Sequence, residues 1–179
     1  MPPKIALRVF LCYNGGMQWD KITDIVLVAS FAVLGVLGVL GLYQWITRKS
    51  LKKVDRELVA MIPPLALMAI VYVVFDKFIV LATRPDGSGE SSFPSTHVMV
   101  VATIFLLAGL ALPKYIKNKW VRIVIDVMMV GLIVLTAVGR VLANKHWPAD
   151  VIGGVGFAAA FAGIYLFIVK FKRKGEKDV

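Results

Sequence analysis

The chain holds two histidines, and both sit beside residues that could put them to chemical use. His146 and Asp150 close the stretch 139–150, GRVLANKHWPAD, which also carries Arg140 and Lys145. A carboxylate four residues from an imidazole can take its one N–H, fix the tautomer and leave the other nitrogen free to attack an electrophile. Asp150 could equally cap the helix that follows, and the two roles are compatible. His97 ends the stretch Pro94-Ser95-Thr96-His97 at the head of an apolar run. Ser95 or Thr96 could be a plain N-cap. The same helix start would also offer free backbone N–H groups and a positive dipole end to an anion. His97, in the first turn, could give a proton to a leaving group. Lys77 and Arg84 stand seven residues apart. On a continuous helix they would share one face, separated by roughly 10 Å of rise. Pro85 disfavours the helical region for Arg84. Two cations in one pocket suit a dianionic phosphate, held bidentately by arginine and as a point charge by lysine. The plainer alternative is a snorkelling lysine and a loop arginine.

These residues need elements to position them, and hydropathy supplies the elements. The chain of 179 residues is 59% hydrophobic, with a mean hydropathy of +0.79. Its apolar residues gather in five runs, at about 23–46, 58–81, 95–112, 120–138 and 151–169. Each is near the ~20 residues that cross hydrocarbon as a helix. The expected fold is all-α: a polytopic membrane bundle of five transmembrane helices, one domain over 1–179, with residues 1–20 as a short interfacial segment broken near Gly15-Gly16. That segment lacks the apolar core and cleavage site of a signal peptide. Gly35, Gly38 and Gly41 in the first run invite close helix approach. Pro63 and Pro64 bend or delay the second helix. Arg122 and Asp126 have the spacing of an intrahelical ion pair.

The net charge of +10 would point to nucleic acid in a soluble protein. Here the cations lie in short loops between apolar runs, so anionic lipid headgroups are the expected partners and nucleic acid is not. Five cations fall in the 47–57 loop, four in the 113–122 turn and five in the 170–179 tail, against seven on the opposite face. The richer side should be cytoplasmic, which puts the N-terminus outside and the C-terminus inside a cytoplasmic (inner) membrane. Alternating spans then bring Lys77, Arg84, Ser95, Thr96, His97, Arg140, His146 and Asp150 to one extracytoplasmic face. The lone Cys12 excludes an intrachain disulfide, and oligomeric state is not legible.

In order, Lys-x6-Arg-Pro, Pro-Ser-x-His and Arg-x5-His-x3-Asp resemble the type 2 phosphatidic acid phosphatase superfamily over residues 77–150. The resemblance implies a lipid phosphate phosphatase in which His146 attacks phosphorus to form a phosphohistidine, Asp150 orients it and His97 protonates the leaving oxygen. It implies that Lys77, Arg84, Ser95, Arg140 and the backbone of Thr96 hold the phosphoryl oxygens, with no cofactor and no metal. The implied substrate is a membrane lipid phosphate: polyprenyl diphosphate, phosphatidylglycerol phosphate, phosphatidate or a phosphorylated saccharolipid. Transfer to a second lipid is the alternative within the superfamily; its haloperoxidases are typically soluble, and five spans argue against them. A catalytically dead lipid-phosphate binder is the alternative outside enzymes, whereas a transporter would want charges at mid-membrane. The chain departs from the family pattern in three places. Thr96 stands where glycine is usual, Gly139 stands where serine is frequent, and five spans replace the common six.

Overall fold

The computed structural model describes the backbone of residues 3–50 and 53–175 and the side chains of 15–50 and 53–170. Six helices follow in order: α1 (Pro3–Arg48), α2 (Arg56–Val59), α3 (Ile62–Lys77), α4 (Thr96–Tyr115), α5 (Lys119–Leu142) and α6 (Pro148–Gly175). Among the described residues five segments are long and apolar enough to cross a membrane: Gly15–Arg48, Arg56–Lys77, Thr96–Tyr115, Lys119–Leu142 and Pro148–Lys170. The protein is therefore a membrane-embedded all-helical bundle with the five expected spans. Its lipid-facing character shows in α5, where Trp120, Val124, Val127, Met128 and Val130 are all exposed.

α4 is the centre of the bundle. It packs against α1, α3, α5 and α6, and Val98, Met99, Val101, Ile104 and Leu107 on it are fully buried. Met99, Ile104 and Phe105 join Val26 of α1, Met68 of α3 and Phe161 of α6 in one apolar cluster. Because hydrocarbon is as apolar as these side chains, close packing rather than the hydrophobic effect holds the helices together.

Several local expectations are corrected. Gly15-Gly16 does not break the chain, since α1 continues through it from Pro3; a glycine pair inside a long apolar helix costs too little to end it. The second span stops at Lys77 instead of 81, with Phe78 as its cap, and the chain then leaves the helix as a loop over 78–95. Pro63 and Pro64 do delay the second helix: its long regular part, α3, starts only at Ile62, and both prolines fall in its first turn, where their missing N–H groups would have had no intrahelical partner. The Arg122–Asp126 pair is not formed; Asp126 leans over Gly109 of α4, 3.2 Å from where a Cβ would stand.

A candidate active site at one end of the bundle

The loop over 78–95 folds back on the turn between α5 and α6. One antiparallel bridge joins Thr83 to Ser91. The Trp147 indole N–H donates to the Thr83 carbonyl at 3.0 Å, and Lys145 pairs with Asp86 at 3.1 Å. The Ser88 backbone N–H, more than the lysine, holds the Asp86 carboxyl down at about 2 despite some burial. Phe93 fills the angle between helices, edge-on to Phe75 of α3 at 6.0 Å between centroids. The Phe93–Pro94 peptide bond is cis.

His146 is held by this loop. Its side chain is 2% exposed, and its Nδ1 lies 2.8 Å from the Ser92 carbonyl. A carbonyl only accepts, so Nδ1 carries the proton and Nε2 carries the lone pair. Nε2 is buried with no hydrogen-bond partner among the described residues. Burial, then the nearby Arg140 guanidinium, pushes the imidazole down to about 4; the Ser92 bond and Asp150 pull the other way and are outweighed. The ring is therefore neutral at pH 7, with its unprotonated nitrogen free.

Asp150 does not touch that ring in the way its spacing predicts. Its Oδ2 is 3.8 Å from His146 Nδ1, beyond hydrogen-bond range. The same oxygen accepts from Ser92 Oγ at 2.7 Å and from the Trp147 backbone N–H at 2.8 Å. Asp150 is thus the acidic third residue of α6, reaching back to the residue before Pro148 as in a capping box. It orients His146 at one remove, by fixing Ser92. The Ser95 backbone N–H donates to the Asp150 carbonyl at 3.0 Å and completes the seam between the two stretches.

Ser95 precedes α4, yet its hydroxyl does not cap the helix. Ser95 Oγ, like Arg140 Nε, is buried without a partner. Buried polar atoms are nearly always satisfied, so these two and His146 Nε2 are donors and acceptors left available at this end of the bundle. Arg84, Thr96 and His146 line a small cleft together with Phe75 and Phe93, enclosing about 10 Å³. Arg84 is turned to Glu90, at 2.6 Å, and to the Ser91 carbonyl, at 3.3 Å. Lys77 does not join the group. It is 69% exposed and bound to Asp76 at 2.7 Å, because α3 ends at that residue and the shared helix face with Arg84 never forms.

α1 contributes what sequence reasoning missed. Arg140 is buried, and its Nη1 contacts Asp20 Oδ1 at 2.5 Å and Thr23 Oγ1 at 3.4 Å. His97 Nε2 lies 2.9 Å from Asp24 Oδ1. A Cβ on Gly139 would stand 2.6 Å from Thr23 Cγ2, so the glycine is what lets α1 lie this close to α5. The Thr23 hydroxyl, which donates to the Asp20 carbonyl at 2.8 Å, thereby reaches the Arg140 guanidinium. The only sequence signal was phase: Asp20, Thr23 and Asp24 share one face of a helix at the expected level.

One end of this membrane-embedded helical bundle thus brings together a buried neutral histidine, Ser95 and two arginines. The family model of the PAP2 superfamily matches residues 28–174, and the chain belongs to that superfamily. A solved structure described as the first transmembrane PAP2 type phosphatidylglycerolphosphate phosphatase from Bacillus subtilis matches with a TM-score of 0.55 and 20% identity, over 89% of this chain and 77% of that one. At that identity the likeness shows the fold. No match was found among curated proteins.

Proposed function

We propose that the protein is a lipid phosphate phosphatase that works through a phosphohistidine, without a metal. The observation that carries this reading is the free Nε2 of His146, fixed by the Ser92 carbonyl on the opposite nitrogen. Nε2 attacks phosphorus as the ester or anhydride P–O bond breaks. Arg140, Arg84, Ser95 Oγ and the first N–H groups of α4, beginning at Thr96, take the charge that develops on the phosphoryl oxygens. His97 gives a proton to the leaving oxygen and later takes one from the water that cleaves the phosphohistidine. Asp150 holds Ser92 and thereby the ring. Lys77 would add a further cation only by exchanging Asp76 for the phosphate, and Arg84 must likewise release Glu90.

The seven-cation face then looks away from the cytoplasm, at the outer surface of the cytoplasmic membrane. The phosphate enters from water and the lipid tail stays among the helices. Of the lipid phosphates that satisfy this chemistry, phosphatidylglycerol phosphate is the one for which the similar Bacillus subtilis phosphatase is named. Polyprenyl diphosphate, phosphatidate and phosphorylated saccharolipids present the same phosphoryl group.

The test is phosphate release by purified protein in detergent over a panel of these lipids, with and without EDTA. His146→Ala should abolish release, and EDTA should leave the unsubstituted protein active. Release at the unsubstituted rate by His146→Ala would remove the histidine mechanism, and loss of activity in EDTA would remove its independence of metal. Mass spectrometry of the lipid product separates hydrolysis from transfer to a second lipid.

A further inference from the structure

α1 places two carboxylates one turn apart on the site, and Asp24, the one beside His97, also lies 4.0 Å from Arg140 Nη1. Asp20 takes Arg140, while Asp24 takes His97 at Nε2, 2.9 Å away. The groups that face His97 are Asp20 and Asp24 from α1 and Arg140 from α5. Thr23, between the two acids, is fully buried against Gly139. This packing holds the acidic face of α1 on the site.

We propose that Asp24 is the positioning residue of His97. The inference rests on the reading of His97 as the acid of a phosphatase, and it assigns which nitrogen works. A carboxylate accepts only, so Asp24 retains the Nε2–H of His97 in both charge states of the ring. Nδ1, which has no hydrogen bond among the described residues, is then the atom that titrates during turnover. In the first step the lone pair of His146 Nε2 forms the N–P bond. The P–O pair departs with the leaving oxygen, which takes the proton from His97 Nδ1. In the second step water attacks phosphorus and the N–P pair returns to His146, while the water proton goes to His97 Nδ1. Through both steps Asp24 keeps the ring from rotating and balances the imidazolium charge. The two histidines are therefore oriented by different partners: His146 through Nδ1 by the Ser92 carbonyl, His97 through Nε2 by the Asp24 carboxylate.

A residue that acts through the acid matters in proportion to how badly the leaving group needs a proton. The full chain in detergent is assayed on a short-chain phosphatidate, whose alkoxide leaves poorly, and on p-nitrophenyl phosphate, whose phenolate leaves without a proton. Asp24→Asn should lower the ratio of the two kcat values on the order of tenfold, a fraction of what general acids contribute. KM for phosphatidate should stay put, and Asp24→Glu should recover most of the ratio. His97→Ala should lower the ratio further, and adding Asp24→Asn to it should change nothing more. Equal loss on both esters, or losses that multiply in the double variant, would show Asp24 to be a tie between α1 and α4 only and would overturn the proposal. An unchanged ratio in Asp24→Asn with a lowered one in His97→Ala would also overturn it. Failure of the underlying reading looks different, because then His97→Ala itself would leave the ratio unchanged.

Discussion

The glycines at the two ends of this bundle do different work. At the His146 end three helical glycines, Gly139, Gly153 and Gly154, are consumed by close approach. A Cβ on Gly154 would stand 2.8 Å from the Ser95 carbonyl oxygen, one on Gly153 would enter the Phe93 ring, and one on Gly139 would meet Thr23. At the opposite end Gly35 and Gly38 of α1 face open space, and a Cβ on Gly41 would only reach ordinary contact with Leu58 at 3.7 Å. That end carries an apolar cavity of about 330 Å³ between α1, α2 and α3, lined by Leu34, Gly38, Leu58 and Leu65 among others. It is tied instead by polar side chains: Gln44 and Asp55 exchange two hydrogen bonds, at 2.9 and 2.8 Å. The difference teaches where precision is needed. The reaction proposed for the His146 end tolerates little displacement; there glycines let α5 and α6 lie directly on Thr23, Phe93 and the Ser95 backbone, whereas the far end is anchored by side chains.

The largest effect on this comparison should come from Gly154→Ala. The added methyl meets the backbone carbonyl of Ser95 and the backbone nitrogen of Met99, neither of which can rotate away. Overpacking of this kind costs about 3 kcal/mol at the upper end of its range. Because the displaced atoms start α4, Ser95 and Thr96 move with them, and phosphate release should fall along with the unfolding temperature in detergent. An unfolding temperature within error of the parent would show that the seam between α4 and α6 is looser than its distances.

How much of this was legible beforehand follows from what kind of group carries each contact. The five spans and the family could be read because hydropathy and motif order are properties of side chains in sequence. The roles of Ser92 and Asp24 could not. Ser92 acts on His146 through its backbone carbonyl, a group every residue has. Asp20 and Asp24 act across 120 and 73 residues of chain, on Arg140 and His97 respectively. Nothing local marks them apart from helical phase. Lys77 shows the reverse case: a shared face with Arg84 depended on a continuous helix, and the helix ends at Lys77 itself. Gly139 read as a lost hydroxyl, and its meaning emerged only with Thr23 in place.

Acid should sharpen the contrast next. In the folded protein His146 binds its proton only at about pH 4, against 6.5 for an ordinary histidine. Between those values the unfolded chain binds more protons, so stability is full above 6.5 and drains as pH falls toward 4. From pH 7 to pH 5 that linkage amounts to about 2 kcal/mol. Asp55 at the far end is different. Burial alone would raise its carboxyl, but Gln44, Arg48 and Lys114 outweigh burial and hold it below 3.8, so its contribution is lost only in stronger acid. Unfolding midpoints of the parent at pH 7 and pH 5 should therefore differ, and the difference should shrink in His146→Gln. An equal difference in both proteins would place the acid sensitivity elsewhere.

The smallest effect belongs to Gly38→Ala, and it tests the far end directly. The new methyl has nothing within 4 Å to collide with, and it borders the apolar cavity between α1 and α3. Glycine inside a helix is less favourable than alanine by about 0.8–1 kcal/mol, so the substitution should leave stability unchanged or raise it by up to that amount. Activity should be indifferent, because the cavity is at the end of α1 away from Asp20 and Asp24. A clear loss of stability would mean that a helix packs on Gly38 as closely as one packs on Gly154. The distinction between an end built for geometry and an end built for anchorage would then fall.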